Sequence, residues 1–329
     1  MQKTTPGAKH AIICAEIWEK VLVNTHWAAD RTIMLKMTSK EMNRLVEMHR
    51  PAAIVKCKGG YCFVGESLRQ HTSQETGDAR LLFMLDRLQK MTAACRVRTL
   101  TMKFCLFFAS DPAKTQATHA LALALGGCPA LTRLGLGSNT LGESEAQILA
   151  GVLGQCRGLT YLDLHHNLLS SGASIAGVLS GCSALQTLIL TQNSLGSAGS
   201  VALADVLRHC RSLTHLHLSV CDVRCDGLEA IAGAIGQCPE LDALYLGLNQ
   251  IRDRGAKSLA AVLWQCPALT VLDFSNNRIE EGGAESLADC SEQCTALTEL
   301  NLSSNDLDAV DNERLRFWHW RGPAAALRL

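Results

Sequence analysis

The chain has 329 residues, 47% of them hydrophobic but only 5% aromatic, so its core must be built from Leu, Ala, Val and Ile at closely specified positions. Its 31 basic and 31 acidic residues cancel, with no block of like charge, which removes the long-range field that gathers nucleic acid. No stretch reaches the roughly 18 uninterrupted apolar residues of a membrane helix, and charge interrupts the first twenty residues before a secretory h-region can form, so a cytoplasmic or nuclear location is expected.

The first predicted element is a set of short amphipathic helices over 8–51. Ile17, Val21 and Leu22 share one helical face, and Ile33, Met34 and Met37 with Leu45 and Val46 give further apolar faces. A bundle of about forty residues has too much surface for its volume to hold itself strongly, so it needs a partner or the rest of the chain to lean on. The stretch Ile13-Cys14-Ala15-Glu16-Ile17, the pair Val21-Leu22, Asp30 with Leu35, and Thr38-Ser39-Lys40-Glu41-Met42-Asn43 together resemble an F-box along its whole motif length. Ile13-Cys14 stands where that family has Leu-Pro, and Met42 where it has an aromatic residue. The resemblance implies that Ile13, Ile17, Val21, Leu22 and Leu35 contact a Skp-type adaptor of a cullin-RING ubiquitin ligase. The other reading of the same helices is a cap for the C-terminal part of the chain.

Residues 52–96 read as a divergent capping repeat or linker, with a strand in AAIVKC at 52–57 and a helix in LLFMLDRLQKM at 81–91. His49, Cys57, Cys62 and His71 have a loose ligand-like order but no CxxC knuckle, so no metal site is expected there.

The segment 97–310 is organised by a repeat. Cys128, Cys156, Cys182, Cys210, Cys238, Cys266 and Cys294 are 28, 26, 28, 28, 28 and 28 residues apart. Fifteen cysteines, an odd number and mostly at this fixed period, point to reduced thiols packed as small hydrophobes. After each periodic cysteine runs LxxLxLxxNxL, as in Leu131, Leu134, Leu136, Asn139, Leu141 and again in Leu297, Leu300, Leu302, Asn305, Leu307. Two leucines spaced by two are the inward side of a short strand. The ninth position holds Asn139, Asn167, Asn193, Cys221, Asn249, Asn277 and Asn305, whose side chain can satisfy backbone groups where the strand ends; Cys221 can do so only weakly. Apolar runs of helical period come next, such as Ala202, Leu203, Val206 and Leu207 before Cys210. The repeat after Cys156 is two residues short near Ser171–Ser174, which should tighten its turn or shorten its helix. Upstream, Val97, Leu100, Met102, Cys105 and Phe107 occupy the frame with weaker residues and predict one more strand.

This pattern resembles the leucine-rich-repeat family, in its ribonuclease-inhibitor-like class. The resemblance implies an α/β solenoid with parallel β-strands on the concave face and helices on the convex face. Beyond the frame, 311–329 reads as a C-terminal cap or tail, with the indoles of Trp318 and Trp320 covering the last leucines.

The outward strand positions are the surface such a solenoid offers a partner. They are Arg133, Gly135 and Gly137; Tyr161, Asp163 and His165; Thr187, Ile189 and Thr191; His215, His217 and Ser219; Ala243, Tyr245 and Gly247; Val271, Asp273 and Ser275; and Glu299, Asn301 and Ser303. Tyr161, His165, His215, His217 and Tyr245, with Asp163 and Asp273 nearby, are the expected target-binding patch, because rings that combine area with a polar tip anchor protein interfaces. Two strand spacings of about 4.8 Å separate His165 from His215 and His217, so zinc is not expected. Cys221 and Cys225 are close in sequence, but a thiol at the Asn position should be buried and unreactive. The chain has no GxxxxGK[ST], GxSxG or HExxH motif, and neither an enzyme activity nor a cofactor is expected. The leading expectation is a substrate receptor of an SCF-type ubiquitin ligase. A ribonuclease-inhibitor-like scaffold or inhibitor, or a small-GTPase regulator, stands as the alternative.

Overall fold

A computed structural model describes residues 53–57, 60–63, 85, 89, 97–102, 111–290, 294–308 and 327–328. The chain divides into two compact units, Met1–Asn139 and Thr140–Leu329. The F-box-like segment, with Ile13, Ile17, Val21, Leu22 and Leu35, lies outside the described residues, as do Cys105, Phe107, Trp318 and Trp320.

In the first unit the described elements are β1 (Ala53–Cys57), β2 (Gly60–Phe63), β3 (Val97–Met102), α1 (Asp111–Gly126) and β4 (Arg133–Gly135). β3 is the upstream strand expected from the weakened frame. Its Val97, Leu100 and Met102 are buried, and it pairs in parallel with β4, Leu100 opposite Leu134. The strand at 52–57 is present as β1, but it runs antiparallel to β3 and forms an antiparallel pair with β2. A repeat's strand would pair in parallel, since a helix must carry the chain back before the next one begins. β1 and β2 therefore form a hairpin rather than another coil. Leu85, from the expected 81–91 helix, is helical and buried.

The second unit alternates helix and strand: α2 (Glu143–Leu153), β5 (Tyr161–Asp163), α3 (Gly172–Leu179), β6 (Thr187–Ile189), α4 (Gly196–Leu207), β7 (His215–His217), α5 (Arg224–Ile235), β8 (Ala243–Tyr245), α6 (Arg252–Ala260), β9 (Val271–Asp273), α7 (Glu281–Asp289), β10 (Glu299–Asn301) and β11 (Leu327–Arg328). Strands β5 to β10 pair in sequence order, all parallel and in one register, so Leu162, Leu188, Leu216, Leu244, Leu272 and Leu300 stand opposite one another. All six are buried. Each is worth about 1.5–3 kcal/mol as area removed from water, an upper bound because the unfolded chain already hides part of it. At the C-terminal end β11 joins β10 in parallel, Leu300 opposite Leu327, so backbone from the last residues closes that edge of the sheet.

The shortened repeat shows its missing residues in its helix. α3 has 8 residues, the fewest of the described α-helices, against 12 in α4 and α5 and 9 in α6 and α7, and it begins where the Ser171 side chain accepts the Ser174 N–H at 3.1 Å. The periodic cysteines sit at the turn between helix and strand. In every repeat the Cys carbonyl accepts the N–H of the leucine three residues on, from Leu131 to Leu297. Their thiols are free and buried, and several reach the carbonyls of the preceding coil, as Cys238 Sγ does to Leu207 O at 3.5 Å. Burial pushes Cys182, Cys221, Cys238 and Cys266 up to about 12 and Cys210 to about 11, so these thiols stay protonated.

The ninth-position residues form a ladder along the opposite end of the strands. Asn277 Nδ2 donates to Leu246 O at 2.9 Å in the coil before and to Phe274 O at 3.0 Å in its own, while its Oδ1 accepts the Asn249 N–H at 2.9 Å. Asn249 and Asn305 repeat the arrangement. One amide thus ties its own coil to the one before through both its donor and its acceptor, which is why this position recurs as Asn. Cys221 keeps half of it: its thiol donates to Leu190 O at 3.1 Å, but sulfur has no carbonyl-like oxygen to offer the coil before.

Candidate functional site

The single register of β5 to β10 places the outward residues in rows. Tyr161, Thr187, His215, Ala243, Val271 and Glu299 form one row; Asp163, Ile189, His217, Tyr245, Asp273 and Asn301 form the next. The backbone ladder continues past the strands, Gln192 N to Ser219 O, Val220 N to Gly247 O and Leu248 N to Ser275 O, which aligns a third row ending in Ser303. Together they make a wall of short side chains from which a few rings stand out.

His217 and Tyr245 are paired directly. Their rings stack with centroids 4.4 Å apart and planes 9° from parallel, so the pair forms one continuous aromatic platform. Burial, and then the neighbouring His215, lower the His217 pKa below the usual histidine value, against a weaker opposing pull from Asp163. The imidazole is neutral near pH 7. Burial, together with the carboxylates of Glu299, Asp273 and Asp242, raises the Tyr245 phenol, which therefore keeps its proton. His215 lies one row away with Nδ1 2.9 Å from Thr214 Oγ1 and Nε2 3.9 Å from Asp242 Oδ2.

Asp163 departs from the expectation that it stands open to a partner. It is buried, with its Oδ1 3.1 Å from the His165 N–H and 2.6 Å from His165 Nδ1, so it orients the histidine. Asp273 accepts the Ser275 N–H at 2.9 Å and Asn301 accepts the Ser303 N–H at 3.1 Å in the same way. A short acidic or amide side chain two residues before a strand's exit folds back on the backbone, as in an Asx turn. Asp273 remains half-exposed after doing so.

Of the seven residues expected at the target site, His217, Tyr245 and Asp273 share one row on adjoining strands, and His215 stands beside His217 on β7. Tyr161, Asp163 and His165 belong to β5, with the whole of β6 between them and β7. The ring patch is thus two groups divided by the smaller Thr187, Ile189 and Thr191. Asp242 and the exposed apolar residues Val220 and Leu248 were not expected at this surface. Asp242 precedes the strand and Val220 and Leu248 follow it, so none occupies an alternating outward position; the 28-residue offset between Val220 and Leu248 was the available signal for those two. Among the described residues no group of three or more His, Cys, Asp or Glu is arranged to hold a metal ion, and no helix is long and apolar enough to cross a membrane.

A family profile described as Leucine Rich repeat matches residues 209–232, 237–260, 265–288 and 293–310. No curated protein matches the chain. Four repeats within 209–310 are therefore leucine-rich repeats by sequence profile, and parallel strands alternating with helices are the fold they adopt.

Proposed function

We propose that this leucine-rich-repeat solenoid is the target-binding half of a substrate receptor for an SCF-type ubiquitin ligase. Leucine-rich repeats are protein-interaction modules, and the observation that carries the binding role here is the stacked His217–Tyr245 platform raised on a wall of short side chains. Aromatic anchors amid small neighbours that exclude water are the usual energetic centre of a protein interface. The ligase role is supported by the F-box resemblance of residues 8–51, in which Ile13, Ile17, Val21, Leu22 and Leu35 face the Skp-type adaptor. The order of the two modules, docking helices first and repeats second, suits a receptor that carries no chemistry of its own.

Two tests separate the halves. Co-precipitation with a Skp-type adaptor should succeed for the full chain and fail after deletion of residues 1–51; equal retention of the adaptor by both proteins overturns the ligase role. A Tyr161→Ala, His215→Ala, Tyr245→Ala variant of the full chain should keep the adaptor and its melting temperature but lose proteins captured by the wild type. Capture of the same proteins by that variant overturns the wall as the target site.

A further inference from the structure

The geometry points to the wall of β7–β10 and its rim as the docking site for a partner segment that carries a Lys or Arg beside an apolar side chain. This inference rests on the wall being the partner-binding face and adds the chemistry of what it takes.

The first observation is a charge bias. The chain has equal numbers of acidic and basic residues, yet the eighteen outward positions of β5–β10 include Asp163, Asp273 and Glu299 and no Lys or Arg; the row meets Arg328 only at β11, opposite Asn301. Asp242 adds a fourth carboxylate at the foot of β8 beside His215. With Asp163 folded onto His165 on the same face, the carboxylates that act on Tyr245 are Glu299, Asp273 and Asp242. A neutral His217 does not offset them. The arginines that follow these strands, Arg224, Arg252 and Arg278, come after the Asn ladder, where the chain has left the wall, and Arg224 is held by Asp222 at 2.8 Å. Complementarity therefore favours a cation, and an aromatic face beside carboxylates suits a guanidinium or ammonium in particular.

The second observation is independent of charge. The residue just before the ninth position is in the left-handed conformation in every coil, at Ser138, His166, Gln192, Val220, Leu248, Asn276 and Ser304. Five of these are polar, the types that tolerate positive φ or meet solvent well. The remaining two are Val220 and Leu248, neighbours on adjoining coils, at φ 58° and 62°, and 40% and 55% exposed. A branched apolar side chain there is both strained and wet, a combination that concentrates at functional positions. The two follow Ser219 and Gly247, directly beyond the row that follows His217 and Tyr245. An extended segment crossing the wall can thus set a basic side chain by Tyr245 and an adjacent apolar one on Val220 and Leu248.

The test pans a random twelve-residue peptide library against the full chain, an Asp273→Asn/Glu299→Gln variant and a Val220→Ser/Leu248→Asn variant, with thermal melting of all three. The second variant copies residues found at equivalent positions in other coils, so it retains the fold. Peptides enriched on the wild type should carry Lys or Arg next to an apolar residue, and their binding should fall about tenfold on each variant, as expected for removing two partly exposed charges or an apolar contact. Enrichment of acidic peptides overturns the proposed partner class while leaving the wall as a binding face. Enriched basic peptides that bind all three proteins equally place their site elsewhere and overturn the proposal, as does the absence of enrichment. None of these outcomes bears on the adaptor, which is read through residues 1–51.

Discussion

Replacing Asn249 by Ala removes one complete rung of the amide ladder. Asn249 is fully buried; its Nδ2 donates to Leu218 O at 2.7 Å and to Leu246 O at 2.8 Å, and its Oδ1 accepts from Cys221 N at 2.9 Å and Val223 N at 3.1 Å. The substitution leaves two carbonyls and two amide groups without these partners in a place water does not reach. At about 0.5–1.5 kcal/mol net for each hydrogen bond, the four sum to roughly 4 kcal/mol. A domain holds only about 5–15 kcal/mol in reserve, so the loss should be visible as early unfolding in urea, followed by circular dichroism at 222 nm. Because each coil is stabilised by its neighbours, amide exchange should quicken first at residues 216–251. Gln237→Ala, at an exposed position, is the control, with an expected change within about 0.5 kcal/mol. A destabilisation by Asn249→Ala of less than about 1 kcal/mol would refute the reasoning that these side chains bind one coil to the next.

Cys221→Asn should raise stability by about 1–2 kcal/mol, since it restores an oxygen acceptor to the one rung that lacks it; an unchanged or lower urea midpoint counts against it. Gly283→Ala should cost about 1–3 kcal/mol because the new methyl would lie 2.5 Å from Asp253 Oδ1 and 2.9 Å from the Asp253 Cα, and backbone cannot step aside; the melting temperature decides. His217 has its folded pKa below the ordinary 6.5, so the unfolded chain binds more protons as pH falls through 6.5. Its penalty is absent above that pH and grows on acidification until the folded midpoint is passed. The wild type should therefore lose more melting temperature between pH 7.5 and pH 5 than His217→Gln does, and a proton NMR titration should place the His217 midpoint below 6.5.

The coil was legible because its signals are periodic and local. Cysteines 28 residues apart, leucines two apart and Asn at the ninth position each mark a structural role, and the buried Leu162–Leu300 row and the Asn ladder are those roles carried out. The shortened α3 followed from a two-residue deficit in the same way. The direction of β1 was not legible, because AIVKC reads as a strand whichever way it pairs, and only its partners decide. Asp163 stands in the outward row, as alternation puts it, but its burial was not legible: a carboxylate two residues before a backbone N–H can fold onto it, and the His165 ring gives it a second partner. Val220 and Leu248 escaped notice because exposed apolar residues have no meaning one at a time; their backbone φ supplies it.

The central claim is that the strand wall, and not the helical side, meets the partner. A photo-cross-linking residue placed in the full chain at Thr191 or Ser219 on the wall, or at Val201, which is exposed on α4, tests this directly. Adducts with a co-purified protein should form from Thr191 and Ser219 and not from Val201. Adducts from Val201 alone would contradict the account.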